Sequence, residues 1–102
     1  MLLTYLDLAT SHLTIETVIT LRDFADPTTK RASALSAAKW PAMTIADYDD
    51  GLMISVPSTS VDMSAVPVDL CAVLAFAQVQ NATLIRFDSA GPEVGELQTY
   101  DW

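Results

Sequence analysis

Two short β-like runs, Ala42 to Asp47 and Leu52 to Val56, enclose Tyr48-Asp49-Asp50-Gly51, and no other pattern in the chain constrains its fold as strongly. Asp-Gly supplies the positive φ values that a tight turn needs, so the runs are expected to pair as an antiparallel hairpin, β2–β3. The flanking segments must then be arranged around an antiparallel pair in the middle of the chain. Ahead of it, Met1 to Leu8 sets Leu3, Tyr5 and Asp7 in alternation with Leu2, Thr4 and Leu6, the pattern of a strand, β1. Thr14 can then cap a helix with its hydroxyl, with Glu16 near the positive helix end, and Ile15, Val18, Leu21 and Ala25 form one apolar face. Asp26-Pro27 ends this helix, α1. Thr28 to Ala38 carries Leu35 as its only large apolar residue and reads as a short surface helix or, on the second reading, an extended loop.

After the hairpin, Pro57 to Ala65 is a loop rich in Ser and Thr. Pro67 and Asp69 mark the start of a second helix, α2, because proline lacks the donor that a first turn cannot use and an acid suits the positive end. Leu70, Val73, Leu74 and Ala77 form its core face, and Asn81 can take the left-handed cap. Thr83 to Phe87 is β-branched and aromatic, β4, and Asp88-Ser89-Ala90-Gly91-Pro92 breaks it. The order β-α-β-β-α-β predicts an α+β, ferredoxin-like sandwich, a four-stranded sheet with two helices on one face and β1 antiparallel to β4. The competing arrangement pairs β1 and β4 in parallel with the hairpin at one edge, which brings the loops after both strands to the same end of the sheet.

With 102 residues and 51% hydrophobic content, one core and one domain spanning residues 1–102 are expected. The apolar stretches are broken by polar residues well short of the eighteen or so needed to cross a membrane, so no membrane association is expected. The N-terminus lacks a basic region and reads as a strand and not as a signal peptide. Cys71 is the only cysteine, which excludes an internal disulfide and a cysteine-based zinc site and fits a reducing, cytoplasmic setting.

The net charge of −8 arises from scarce bases: thirteen acids face only five Lys and Arg. Arg22, Lys30, Arg31 and Lys39 balance Asp7, Glu16, Asp23 and Asp26, whereas beyond Lys39 only Arg86 stands against nine acids. Direct nucleic-acid binding is therefore not expected, and a basic protein partner is. Full DNA mimicry fails on magnitude, because a duplex carries a charge every ~1.7 Å of axis, about fifteen over a domain face of about 26 Å. Nine acids spread over two-thirds of a chain cannot all face one way.

His12, the only histidine, follows β1, and loops at strand ends are where functional residues gather. Ser11 and Asp7 nearby suggest a Ser/His/Asp arrangement, but no Gly-x-Ser-x-Gly elbow and no Gly-rich oxyanion loop accompany them. A histidine that fixes the strand-to-helix turn by hydrogen bonding is the simpler reading. Asp88, at the end of β4, could act as a base or meet a hard cation, yet too few neighbouring oxygen ligands are evident for a metal site. Asp49 and Asp50 are explained by the turn, and three scattered glycines build no phosphate cradle. No cofactor is expected. Tyr100-Asp101-Trp102 closes the chain with two aromatics, which either fold back on the core edge or anchor a partner. Trp40 has the same two readings, and Met43, Met53 and Met63 read as core fillers.

The run Leu6-Asp7-Leu8-Ala9-Thr10-Ser11-His12-Leu13-Thr14, the Pro-Asp-Leu-like start and Ala/Phe-rich body of α2, the strand end Phe87-Asp88-x-x-Gly91-Pro92 and the closing Leu97-x-Thr99-Tyr100-Asp101-Trp102 resemble the motifs of a known group of proteins. The chain is similar to a family of short uncharacterised bacterial proteins, often encoded on plasmids or other mobile elements. The resemblance covers nearly the whole chain and directs attention to Asp7, His12, Asp88 and Trp102 without assigning them work. The family's turn after β4 is Asp-x-Asp-Gly, and Ala90 replaces the second Asp here, which weakens a carboxylate-pair or metal mechanism. Three functions follow as expectations. The first is a non-catalytic interaction or regulatory protein, such as an inhibitor of a basic or nucleic-acid-binding host protein, with Ser11, His12, Asp88, Tyr100 and Trp102 as binding residues. The second is a small enzyme using His12 with Asp7 or Asp88, and the third is a homodimeric or larger structural unit.

Overall fold

A computed structural model describes residues 5–25, 39–41, 43–48, 51–58 and 62–100. The elements run β1 (Tyr5–Ala9), a 3-10 turn (Thr10–His12), α1 (Ile15–Ala25), β2 (Ile45–Tyr48), β3 (Gly51–Ser55), α2 (Val68–Val79) and β4 (Leu84–Asp88). The element order and the α+β class are those expected. The reading of Thr28 to Ala38 as a surface helix, the start of β1 at Met1, the Asp49-Asp50 turn and Trp102 lie outside the described residues.

The four strands form one mixed sheet in the order β1-β4-β3-β2. β1 pairs with β4 in parallel, with Leu8 opposite Phe87 and Ala9 opposite Asp88, while β3 is antiparallel to both β2 and β4. The ferredoxin-like pairing, with β1 and β4 antiparallel, is thus not the one adopted, and the competing arrangement is. Helix and strand periods are the same in both, so local pattern cannot choose between them. The choice falls to cross-strand matching. In this register Asp7 lies opposite Arg86 and their side chains meet, Arg86 Nε to Asp7 Oδ1, at 2.6 Å.

Strand alternation sends Ile45, Leu52, Ile54, Ile85, Phe87 and Leu8 to one face, where they are buried with Val18 and Leu21 of α1 and Leu70, Val73, Leu74 and Ala77 of α2. Both helices therefore cover one face of the sheet. Each fully buried Leu, Ile or Phe contributes about 1.5–3 kcal/mol relative to exposure, so this layer carries the fold. Ile15 and Ala25, expected on the buried face of α1, are only half-buried because they sit at its two ends. The opposite sheet face, with Tyr5, Asp7, Arg86, Met53 and Ala46, carries neither α1 nor α2, and Tyr5 is 55% exposed.

Local signals behave as their chemistry requires. Thr14 Oγ1 accepts from the Thr17 N–H (3.3 Å), the capping bond expected at the start of α1. Asn81 adopts φ 59°, and the Asn81 N–H to Gln78 O and Ala82 N–H to Ala77 O bonds close a Schellman motif after α2. Gly51 departs from its expected role. Its φ is not positive, and the register pairs it with Tyr48, so Asp49 and Asp50 are the connecting residues. Glycine is needed there for space, since a Cβ would stand 1.8 Å from the carbonyl oxygen of Phe87. Trp40 is buried and meets Phe24 edge to face, with ring centroids 5.0 Å apart, so it belongs to the core. Met43 is buried as well, Met63 packs partly buried against the core, and Met53 is half-buried on the sheet face opposite α1 and α2. No helix among the described residues is long and apolar enough to cross a membrane.

Candidate functional site

Parallel pairing sets the ends of β1 and β4 side by side, so the turn Thr10–His12 and the segment that follows Asp88 meet at one end of the sheet. The Ala9 N–H donates to Pro92 O (2.9 Å) and the Tyr100 N–H to Ser11 O (2.8 Å). The C-terminal segment therefore folds back along the turn. Between these points His12, 1% exposed, lies beneath it.

Both nitrogens of the His12 ring are occupied by backbone. The Val94 N–H donates to Nε2 (3.0 Å), which makes Nε2 an acceptor and leaves Nδ1 to carry the hydrogen that it donates to Gln98 O (2.9 Å). This single-tautomer arrangement leaves no nitrogen to take a substrate proton or bind a metal. Ser11 Oγ donates to Glu93 Oε2 (2.7 Å), away from the ring. Asp7 is on the sheet face opposite α1 and α2, with Arg86. Among the described residues no hydrogen bond joins His12 to Ser11, Asp7 or Asp88, and a Ser/His/Asp arrangement is not assembled.

Asp88 is likewise engaged. Its Oδ1 accepts from the Ala90 N–H (2.9 Å) and its Oδ2 from the Tyr48 hydroxyl (3.3 Å), which also donates to Phe87 O (3.0 Å). The first bond is the side-chain turn that Asp favours after a strand. Gly91 follows in the same turn, where a Cβ would come within 2.5 Å of Leu8 O. Beside it lies an open depression of about 250 Å³ lined by Asp7, Arg86, Asp88, Ala90, Gly91 and Pro92. The Asp7 carboxylate, by hydrogen bond and charge, raises the pKa of the Arg86 guanidinium. Of the residues singled out from sequence, Asp7 and Asp88 share this depression. Ser11, His12 and Tyr100 form the adjoining hydrogen-bonded turn.

Asp69 was legible only as a first-turn acid. Its carboxylate, 8% exposed, reaches across to the start of α1 and accepts from the Thr14 N–H (2.8 Å), Thr17 Oγ1 (2.9 Å) and Thr14 Oγ1 (3.3 Å). Tyr48 and Arg86 were also passed over, although Arg86 is the only base after Lys39 and stands at an outward position of β4. Cys71 is half-buried with its Sγ 3.4 Å from Val66 O, and burial together with nearby Asp69 pushes its thiol pKa up, so it is a poor nucleophile. No group of three His, Cys, Asp or Glu among the described residues could hold a metal ion.

A family model described as the C-terminal domain of a family of unknown function, DUF5983, matches residues 5–102. The chain belongs to the DUF5983 family. The matched span begins at β1 and includes both helices, all four strands and the hydrogen-bonded tail of this DUF5983 domain. No curated protein and no solved structure matches it.

Proposed function

We propose that this chain is a non-catalytic interaction domain that binds a basic protein partner. The observation that carries the reading is His12: the one side chain suited to acid–base work near neutral pH is buried and has both ring nitrogens engaged by backbone. The charge distribution supports the choice of partner. Arg22 and Arg86 are taken up by Asp47 and Asp7, whereas Glu16, Asp23, Asp62 and Glu96 are exposed with no cation beside them among the described residues. Such a surface repels nucleic acid and accelerates encounter with a basic protein. The finer reading is an inhibitor of a basic or nucleic-acid-binding protein in a reducing, cytoplasmic setting, encoded by a mobile element.

The test is capture of partners on the immobilised chain, followed by titration of each purified partner at low and high salt. A basic protein is expected, with affinity that falls with salt and falls again for the triple variant Glu16→Gln, Asp23→Asn, Glu96→Gln. Binding that ignores both salt and these substitutions overturns the reading, and so does a reaction abolished by His12→Gln in a folded chain. A second reading, self-association through the sheet face opposite α1 and α2, is favoured by the exposure of Tyr5 beside half-buried Leu84 and Met53. Sedimentation at high protein concentration decides it, a monomer counting against it.

A further inference from the structure

We propose that residues 92–100 form a strap that releases as one unit from an otherwise folded domain, with His12 as its latch. Among the described residues the buried apolar core ends in sequence at Phe87, and the tail adds only Val94 and Leu97, both partly buried. Nor does any regular helix or strand lie between Ser89 and Tyr100. What ties the strap down is polar and converges on three residues, Ala9, Ser11 and His12. Pro92 O binds the Ala9 N–H, Glu93 binds Ser11 Oγ, Val94 and Gln98 bind the two His12 nitrogens, and the Tyr100 N–H binds Ser11 O.

Those five contacts cannot be released piecemeal with equal ease. The two ring bonds share one imidazole and the tautomer that satisfies one satisfies the other, so loss of the ring loosens residues 94 and 98 together. The root of the strap is fixed separately, because the Ala90 and Gly91 N–H groups bind Asp88 Oδ1 and Asp88 O. Segments with few buried apolar contacts open below the free energy of global unfolding. Release uncovers the His12 ring, the Ser11 carbonyl and the Ala9 N–H at the ends of the parallel strands β1 and β4, the position at which open sheets of this kind present binding sites. In the closed state the strap is therefore an autoinhibitory cover over that end. The idea does not depend on the identity of any partner.

Native-state hydrogen exchange on the full chain, followed amide by amide by NMR at rising sub-denaturing urea, tests it. The Ala9, Val94 and Tyr100 amides should exchange about 100-fold faster than those of Ile85 and Phe87, at matching protection and with little urea dependence, the signature of a sub-global opening. Protection equal to that of Ile85 and Phe87, with the same urea dependence, would show a single cooperative unit and overturn the proposal. His12→Ala should speed exchange at Ala9 and Tyr100 at least about tenfold while Ile85 and Phe87 hold their protection. Val94→Pro removes one latch donor, together with a partly buried side chain at the edge of the core, and should act in the same direction. A parallel loss at Ile85 and Phe87 in both variants refutes the latch.

Discussion

Replacing Asp69 with Ala should be among the most damaging single changes outside the apolar core. Asp69 is 8% exposed, and its carboxylate accepts from the Thr14 N–H, Thr17 Oγ1 and Thr14 Oγ1 at 2.8, 2.9 and 3.3 Å. Hydrogen bonds to a charged acceptor contribute about 1.5–3 kcal/mol each, so the two short ones are together worth about 3 kcal/mol or more and the long one adds little. Thr14 is half-buried and can regain water, whereas Thr17 is buried and cannot. The net loss is about 2–4 kcal/mol, which lowers the Tm of a domain this size by roughly 10–25 °C. Urea unfolding at pH 7, followed by circular dichroism, measures it. Asp69→Asn should cost about half as much, because one carbonyl oxygen still accepts while the amide group faces a donor. A double-mutant cycle with Thr17→Val should show a coupling of about 1 kcal/mol or more. If Asp69→Ala unfolds within about 0.5 kcal/mol of the parent, the range of an ordinary surface change, the clamp between the helix starts does not exist.

Other outcomes follow from single contacts. Gly51→Ala should destabilise by about 3 kcal/mol or more, since its Cβ would lie 1.8 Å from Phe87 O, whereas Gly95→Ala, with nothing within 4 Å, should stay within about 0.5 kcal/mol in the same urea unfolding assay. Long-range ¹⁵N correlation spectra should show His12 protonated at Nδ1 and bare at Nε2, and the reverse tautomer would contradict the strap geometry. Asp7→Ala should cost under about 1 kcal/mol, and less in high salt, because the pair with Arg86 is about two-fifths exposed at each end. Cys71 should react slowly with a thiol reagent at pH 8. Its folded pKa is raised, so the associated stabilisation is complete below the unfolded thiol value and is lost as pH rises through the folded one; reaction at the unfolded-chain rate would contradict this.

Much of the candidate site was readable, but its wiring was not. The place of His12 after β1 is legible in the sequence, whereas its hydrogen-bond partners Val94 and Gln98 lie 82 and 86 residues away. Asp88 was identified from its position before Gly91-Pro92, while its bond to the Tyr48 hydroxyl depends on β3 bringing the hairpin next to β4. Asp69 carried a signal in the first turn of α2, but the three bonds that bury it come from α1.

Sequence alone determined the element order, the two helix faces, the Asn81 cap and the charge imbalance, because each depends on side-chain spacing or backbone preference within a few residues. Tertiary structure decided the sheet order, and with it the end at which the turn after β1 meets the tail after β4. The period-two alternation of β1 and β4 is equally satisfied whichever way the strands run. In the parallel register Leu8 meets Phe87 and Asp7 meets Arg86 across the sheet, a pairing that spans 79 positions of the chain. The same pairing brings the backbone of Val94 and Gln98 onto both ring nitrogens of His12.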